Sequence, residues 1–132
     1  MMSSPLVLGF NMSNAKQMDR VWPIISNIEA IAIDHAWAGS PGMLYKTLQN
    51  NTVEIWAKPL PEHKVAILVL NAGTANTTVT VSVAADVPGQ PKGTTMRDVW
   101  NHKDVTIVGG EIPLRLNVHD SMMAVLDQTH AY

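Results

Sequence analysis

The stretch RDVWNHKDV, Arg97 to Val105, sets a histidine among charges. His102 has Asp98 four residues before it, Asp104 two after, and Lys103 beside it. Imidazole titrates near neutral pH, so a His–Asp pair can orient a general base or contribute to a metal site. A catalytic triad also needs a nucleophile and an oxyanion hole, and neither has a motif here. A metal site needs three or four ligands at defined spacing, and the ligand types of this chain are scattered. Asn101, His102, Lys103 and Asp104 are equally the residues of a tight turn between two strands, where Asn and Asp bond their own backbone. The turn is the favoured reading.

Other residues with chemical potential are weaker still. His35 follows Asp34, and neighbours at i and i+1 do not face each other on a helix. His63 falls in a predicted turn with Pro61 and Glu62, and His119 in another before Asp120 and Ser121. Nothing like a nucleophile elbow surrounds Ser121. Glu54, Glu111 and Asp127 belong to different predicted strands, and a glycosidase pair needs two carboxyls meeting across a cleft. The four tryptophans and two tyrosines are possible sugar platforms. Exposure of Trp56, Trp100 or Tyr45 would favour a carbohydrate-binding module, although tryptophan on a strand is more often a core residue. Three sequons, at Asn11, Asn50 and Asn76, matter only in a secreted protein. No catalytic, cofactor-binding or metal-binding residue is assigned, and no cofactor is expected.

The elements that must position these residues follow from composition and period. At 132 residues one domain-sized core is expected. The charged fraction is 15% and the net charge −2, without a basic block, so the electrostatic footprint of a nucleic-acid binder is missing. The absence of cysteine excludes a disulfide frame, a thiolate nucleophile and a Cys-type zinc site. No apolar run approaches the roughly 18 residues of a membrane-spanning helix, so no membrane partner is expected. The opening MMSSPLVLGFNMS lacks a basic leader region, and its apolar core is too short for a signal peptide. Localisation is left open.

Pro5 to Phe10, PLVLGF, reads as a strand apolar on both faces, as in a parallel sheet. No parallel neighbour is visible nearby. Met18, Val21, Trp22 and Ile25 then fall on one helix face, with Ser13 or Asn14 as cap and Pro23 expected to end or kink the helix. A second short helix is expected from Asn27. After Gly39-Ser40-Pro41-Gly42 the period changes to two. Strands are predicted at Met43–Gln49, Val53–Leu60, Lys64–Asn71, Thr77–Ala84, Thr94–Val99, Thr106–Val108, Glu111–Val118 and Ser121–Asp127. The fold class is therefore mainly β, an antiparallel sandwich of about eight strands with Greek-key-like connections.

The order of the segments SPLVLGFNMSN, IEAIAIDHAWAG, VEIWAKPLPEHKVAILVLNAG, MRDVWNHKDV and LNVHDSMMAVL resembles the C-terminal part of the family 27 glycoside hydrolases, the α-galactosidases or melibiases. The likeness runs in order over nearly the whole chain. WAKPL together with RDVWNHKD is its most specific part. The resemblance implies that residues 1–40 are the last strand and helices of a (β/α)8 barrel, a remnant βα unit, and that residues 41–132 are the accessory sandwich. It implies a retaining enzyme whose two catalytic aspartates lie on earlier barrel strands, so that this chain alone is expected to be inactive. An α-galactoside substrate is then expected only for the full-length enzyme, with the missing barrel portion as partner and a homo-oligomer as a further option. A sibling α-N-acetylgalactosaminidase activity fits the same residues, because the choice between the sugars is made in the barrel. A non-catalytic carbohydrate-binding or structural interaction domain is the alternative.

Departures from the family pattern are Asn11, where many members have Asp, Asp34-His35-Ala36 in place of N-Q-D, and Asp120 in place of a glycine. An apolar PLVLGF without partners is expected to self-associate or to order poorly.

Overall fold

The computed structural model describes residues 1, 3–89, 91 and 94–128. Two helices, α1 (Ala15–Ile25) and α2 (Ile28–His35), precede eight strands. The strands are β1 (Met43–Leu48), β2 (Val53–Leu60), β3 (Lys64–Asn71), β4 (Thr77–Ser82), β5 (Thr95–Asp98), β6 (Lys103–Thr106), β7 (Glu111–Leu116) and β8 (Ser121–Asp127). A single helical turn, α3 (Val83–Asp86), follows β4. All ladders are antiparallel, in a six-stranded sheet ordered β1-β2-β3-β8-β5-β6 and a two-stranded sheet β4-β7.

Strand alternation divides the long sheet into two faces. Val53, Ile55 and Ala57 of β2, Val65, Ile67 and Val69 of β3, and Met122, Ala124 and Leu126 of β8 point to one side. There they pack on Val79 and Val81 of β4 and Ile112 and Leu116 of β7, which closes the sandwich. The intervening residues Ala66, Val99 and Met123 point to the other side, where they meet Ile33 of α2 with Ala30, Leu68 and Trp100 around them. Leu68 pairs directly with Met123 and Ala66 with Val125, so the register of β3 on β8 supplies this second cluster.

Three expectations are corrected. Pro5–Phe10 is not a strand: no ladder includes it, and Leu6 and Val7 are 61% and 84% exposed. A strand apolar on both faces needs neighbours to cover it, and none of the described residues pairs with it. As for the expected end or kink at Pro23, the residue lies in the last turn of α1, which ends two residues on, where Ser26 closes it by hydrogen bonds to Trp22 O. The fourth strand stops at Ser82, because Asp86 accepts the Ser82 N–H at 2.8 Å and turns the chain into α3. The sixth strand is Lys103–Thr106 rather than Thr106–Val108, since the Asp98–Asn101 turn lets β6 pair at once with β5.

Candidate functional site

The two faces differ in chemistry, and the charged residues gather where α2 meets the long sheet. Asn27 begins this joint. Its side-chain oxygen accepts the N–H groups of Glu29 and Ala30, both at 3.0 Å, which caps α2. Its amide nitrogen donates to Val99 O at 2.9 Å, so the same buried side chain fixes the helix start to the end of β5.

One turn along, Glu29 meets the opening motif. Arg97 donates from Nε to Oε2 at 3.0 Å and from Nη2 to Oε1 at 2.8 Å, a bidentate pair. His102 Nδ1 lies 2.9 Å from Glu29 Oε1, and Arg97 Nη1 also donates to Asp104 at 3.3 Å. The hydrogen bonds from Arg97 and then from His102 hold the Glu29 carboxyl down to about 2, and Glu29 in turn raises Arg97 above its usual range. Asp98 does none of this. It is buried beneath the turn, where it accepts the Asn101 N–H at 3.0 Å and the Asn101 side-chain amide at 2.7 Å. His102 sits in the left-handed region with φ of 53°, which swings its ring away from Asp98 and onto Glu29.

The far end of α2 is held by Lys58. This residue belongs to WAKPL on β2 and is fully buried on the helix side of the sheet. Its ammonium donates to Ile33 O, to Asp34 O at 2.9 Å and to Ser3 Oγ at 2.6 Å. The unpaired carbonyls of a helix C-terminus carry partial negative charge, so a cation there satisfies both the orphan acceptors and the macrodipole. Burial lowers the Lys58 pKa, and the negative charge of Asp34 opposes that effect. The Met1 ammonium lies 3.5 Å from Asp34 Oδ1.

The remaining predicted candidates are dispersed. Glu54 Oε2 accepts the Trp56 indole N–H at 2.8 Å, and Trp56 is half-buried rather than core. His63 and His119 occupy turns with positive φ. Asp120 Oδ1 accepts the Ser121 N–H at 2.8 Å, so the residue in the glycine position serves the turn. Asn11 accepts the Ser13 N–H and Asn76 the Val118 N–H. Among the described residues no three of His, Cys, Asp and Glu are grouped to hold a metal. No helix among them is long and apolar enough to cross a membrane.

Arg97, Asp104 and His102 are therefore brought together, but onto a structural carboxylate. The sequence pattern does not show Glu29 as the partner of Arg97 and His102, the bond from Asn27 to Val99, or Lys58 as a latch on α2. Lys58 left one signal: a lone lysine in the apolar strand VEIWAKPL, on the face opposite Val53, Ile55 and Ala57.

Comparison with known proteins agrees with this architecture. Residues 50–126 match the family described as the alpha galactosidase C-terminal beta sandwich domain. The chain is 35% identical over 125 residues to an alpha-galactosidase of Cyamopsis tetragonoloba, covering 93% of this chain and 29% of the relative. It is 33% identical to an alpha-galactosidase of Coffea arabica, with 93% and 32% covered. The chain thus spans about a third of the length of these relatives. Alpha-galactosidase I from Mortierella vinacea superposes with a TM-score of 0.78 at 21% identity, over 98% of this chain and 34% of that one, a likeness of fold.

Proposed function

We propose a function on one premise: the chain belongs to the family of α-galactosidase C-terminal β-sandwich domains. It serves as the C-terminal part of an α-galactosidase-like retaining glycoside hydrolase, and the whole enzyme hydrolyses terminal α-galactosides. These 132 residues contribute structure and no chemistry. Residues 1–40 belong to the barrel side of that enzyme, and residues 41–132 are the sandwich that covers it.

The observation that carries this reading is the employment of the charged groups. Retaining glycosidases need two carboxyls about 5 Å apart, one free to attack and one to donate a proton. Here Glu29 is committed to Arg97 and His102, Asp98 to its turn and Asp86 to Lys46, while Asp34 alone keeps a buried carboxylate oxygen without a partner among the described residues. The helical side supports the same reading. No residue of α1 is buried, although Met18, Val21, Trp22 and Ile25 give it an apolar face. Together with Leu6 and Val7, that face suits packing against further protein.

A chromogenic α-galactoside tests the proposal. The 132-residue chain alone is expected to show no turnover above buffer, and turnover is expected once the preceding part of the parent enzyme is supplied. Turnover by the chain alone would overturn the reading, with His102 the first residue to revisit.

A further inference from the structure

A cleft of about 440 Å3 lies where α1 and α2 meet the long sheet, lined by Leu68 of β3, Met123 of β8, Trp100 and Ile31 among others. Its volume falls within the range of about 300–1,000 Å3 usual for small-ligand sites. The lining is apolar except for one ionisable side chain, Asp34. That side chain is 8% exposed. Its Oδ1 faces the Met1 ammonium at 3.5 Å, and its Oδ2 is buried without a hydrogen-bond partner among the described residues. A carboxylate oxygen held away from water without a donor is costly, and a group that supplies the donor recovers that cost. Leu6, Val7 and Leu8 form one side of the cleft and belong to no ladder, so that side can open to a ligand.

The chemistry of this cleft selects a ligand class. Asp34 Oδ2 requires a donor, which an anion does not bring. A wholly apolar ligand would leave the oxygen unsatisfied. A further cation is not called for. The Met1 ammonium and the Lys58 ammonium, 2.9 Å from the Asp34 carbonyl oxygen, already stand against this one carboxylate, and both would repel a third positive charge. What fits is a neutral molecule with an apolar body and a single O–H or N–H group. We propose that this cleft binds a small neutral amphiphile, in its simplest form an aliphatic alcohol, with its hydroxyl donating to Asp34 Oδ2 and its chain among Leu68, Trp100 and Met123. The site requires no turnover and goes beyond the structural role proposed for the chain.

The test is a titration of the 15N-labelled 132-residue chain with 1-hexanol, read at the tryptophan indole N–H resonances. Trp100→Phe identifies the Trp100 signal. Saturable movement of that signal is expected, with a dissociation constant of about 0.1–1 mM, the scale set by burying a hexyl chain. Hexyl methyl ether keeps the chain and the oxygen but has no donor, and it is expected to bind at least about tenfold more weakly. Hexylammonium and hexanoate are each expected to bind more weakly than the alcohol. Asp34→Ala removes the unpartnered oxygen and is expected to bring hexanol down to the affinity of the ether. No saturable shift up to about 10 mM, equal affinity for alcohol and ether, tighter binding of hexylammonium or hexanoate, or an unchanged preference in Asp34→Ala would overturn the proposal. So would equal movement of the exposed Trp22 and Trp37 signals, which marks adsorption to the apolar surface at large.

Discussion

On one face of the six-stranded sheet the covering is wholly aliphatic: Val79, Val81, Ile112 and Leu116 of the small sheet interdigitate with Ile55, Ile67 and Leu126. On the other face α2 brings little apolar area, chiefly Ile33 with Ala30, and is held by Asn27, Glu29 and Lys58 instead. Non-directional burial stabilises the first face and leaves its partners exchangeable in detail. Directional, charge-assisted bonds fix the second, and they define where the helix sits along the strand and about its own axis. The sandwich is thus the folding unit, and the charged residues of WAKPL and RDVWNHKD are the means by which it grips a helix.

Substitutions can break this contrast in order of expected size. Ile67→Ala, at a fully buried position in the aliphatic core, is expected to cost about 3–5 kcal/mol and to lower the urea midpoint of the whole unit. Lys58→Met keeps the volume but leaves two helix carbonyls without a donor. It is expected to cost about 2–3 kcal/mol, felt at α2 and not in the strands. Limited proteolysis would show this as faster cleavage between residues 26 and 42, with strands 43–128 resistant.

The Glu29 joint gives a smaller effect with a defined pH window. Its folded value of about 2 lies below the ordinary 4.5, so between these values the unfolded chain binds a proton that the folded chain does not. Its contribution is complete above pH 4.5 and lost as pH falls through about 2. Glu29→Gln is therefore expected to cost about 1 kcal/mol at neutral pH and to flatten the acid limb of a stability–pH curve. Smallest of all, Leu6→Ser with Val7→Ser is expected to change stability by less than about 0.5 kcal/mol, because these residues touch little. The same pair should reduce self-association in sedimentation velocity. A loss of stability comparable to Lys58→Met would show that this segment is packed in solution.

Legibility in the sequence followed locality. β2, β3 and β8 have the predicted bounds because their alternation is strong and their turns carry Pro, Gly, Asn or Asp. Asn14 and Asn27 cap α1 and α2 as their types suggest. β6 shifted because its register depends on where the Asp98–Asn101 turn closes, a contact of side chain with backbone that period alone does not encode. PLVLGF has the apolarity of a strand, but a strand exists only with a partner edge. The candidate site was half visible. Arg97, His102 and Asp104 stood out through close spacing, whereas their partner Glu29 lies 73 residues from His102 and Lys58 contacts carbonyls 24 and 25 residues away. Such pairings arise from sheet order and helix placement, and a single sequence shows neither.

The most direct measurement is native-state hydrogen exchange on the 132-residue chain and its Lys58→Met variant. In the variant the α2 amides are expected to lose protection by about 30- to 150-fold, the equivalent of 2–3 kcal/mol, while β2, β3 and β8 keep theirs. Equal loss in helix and strands, or no loss at α2, would contradict the account of a self-sufficient sandwich that holds its helix by a buried cation.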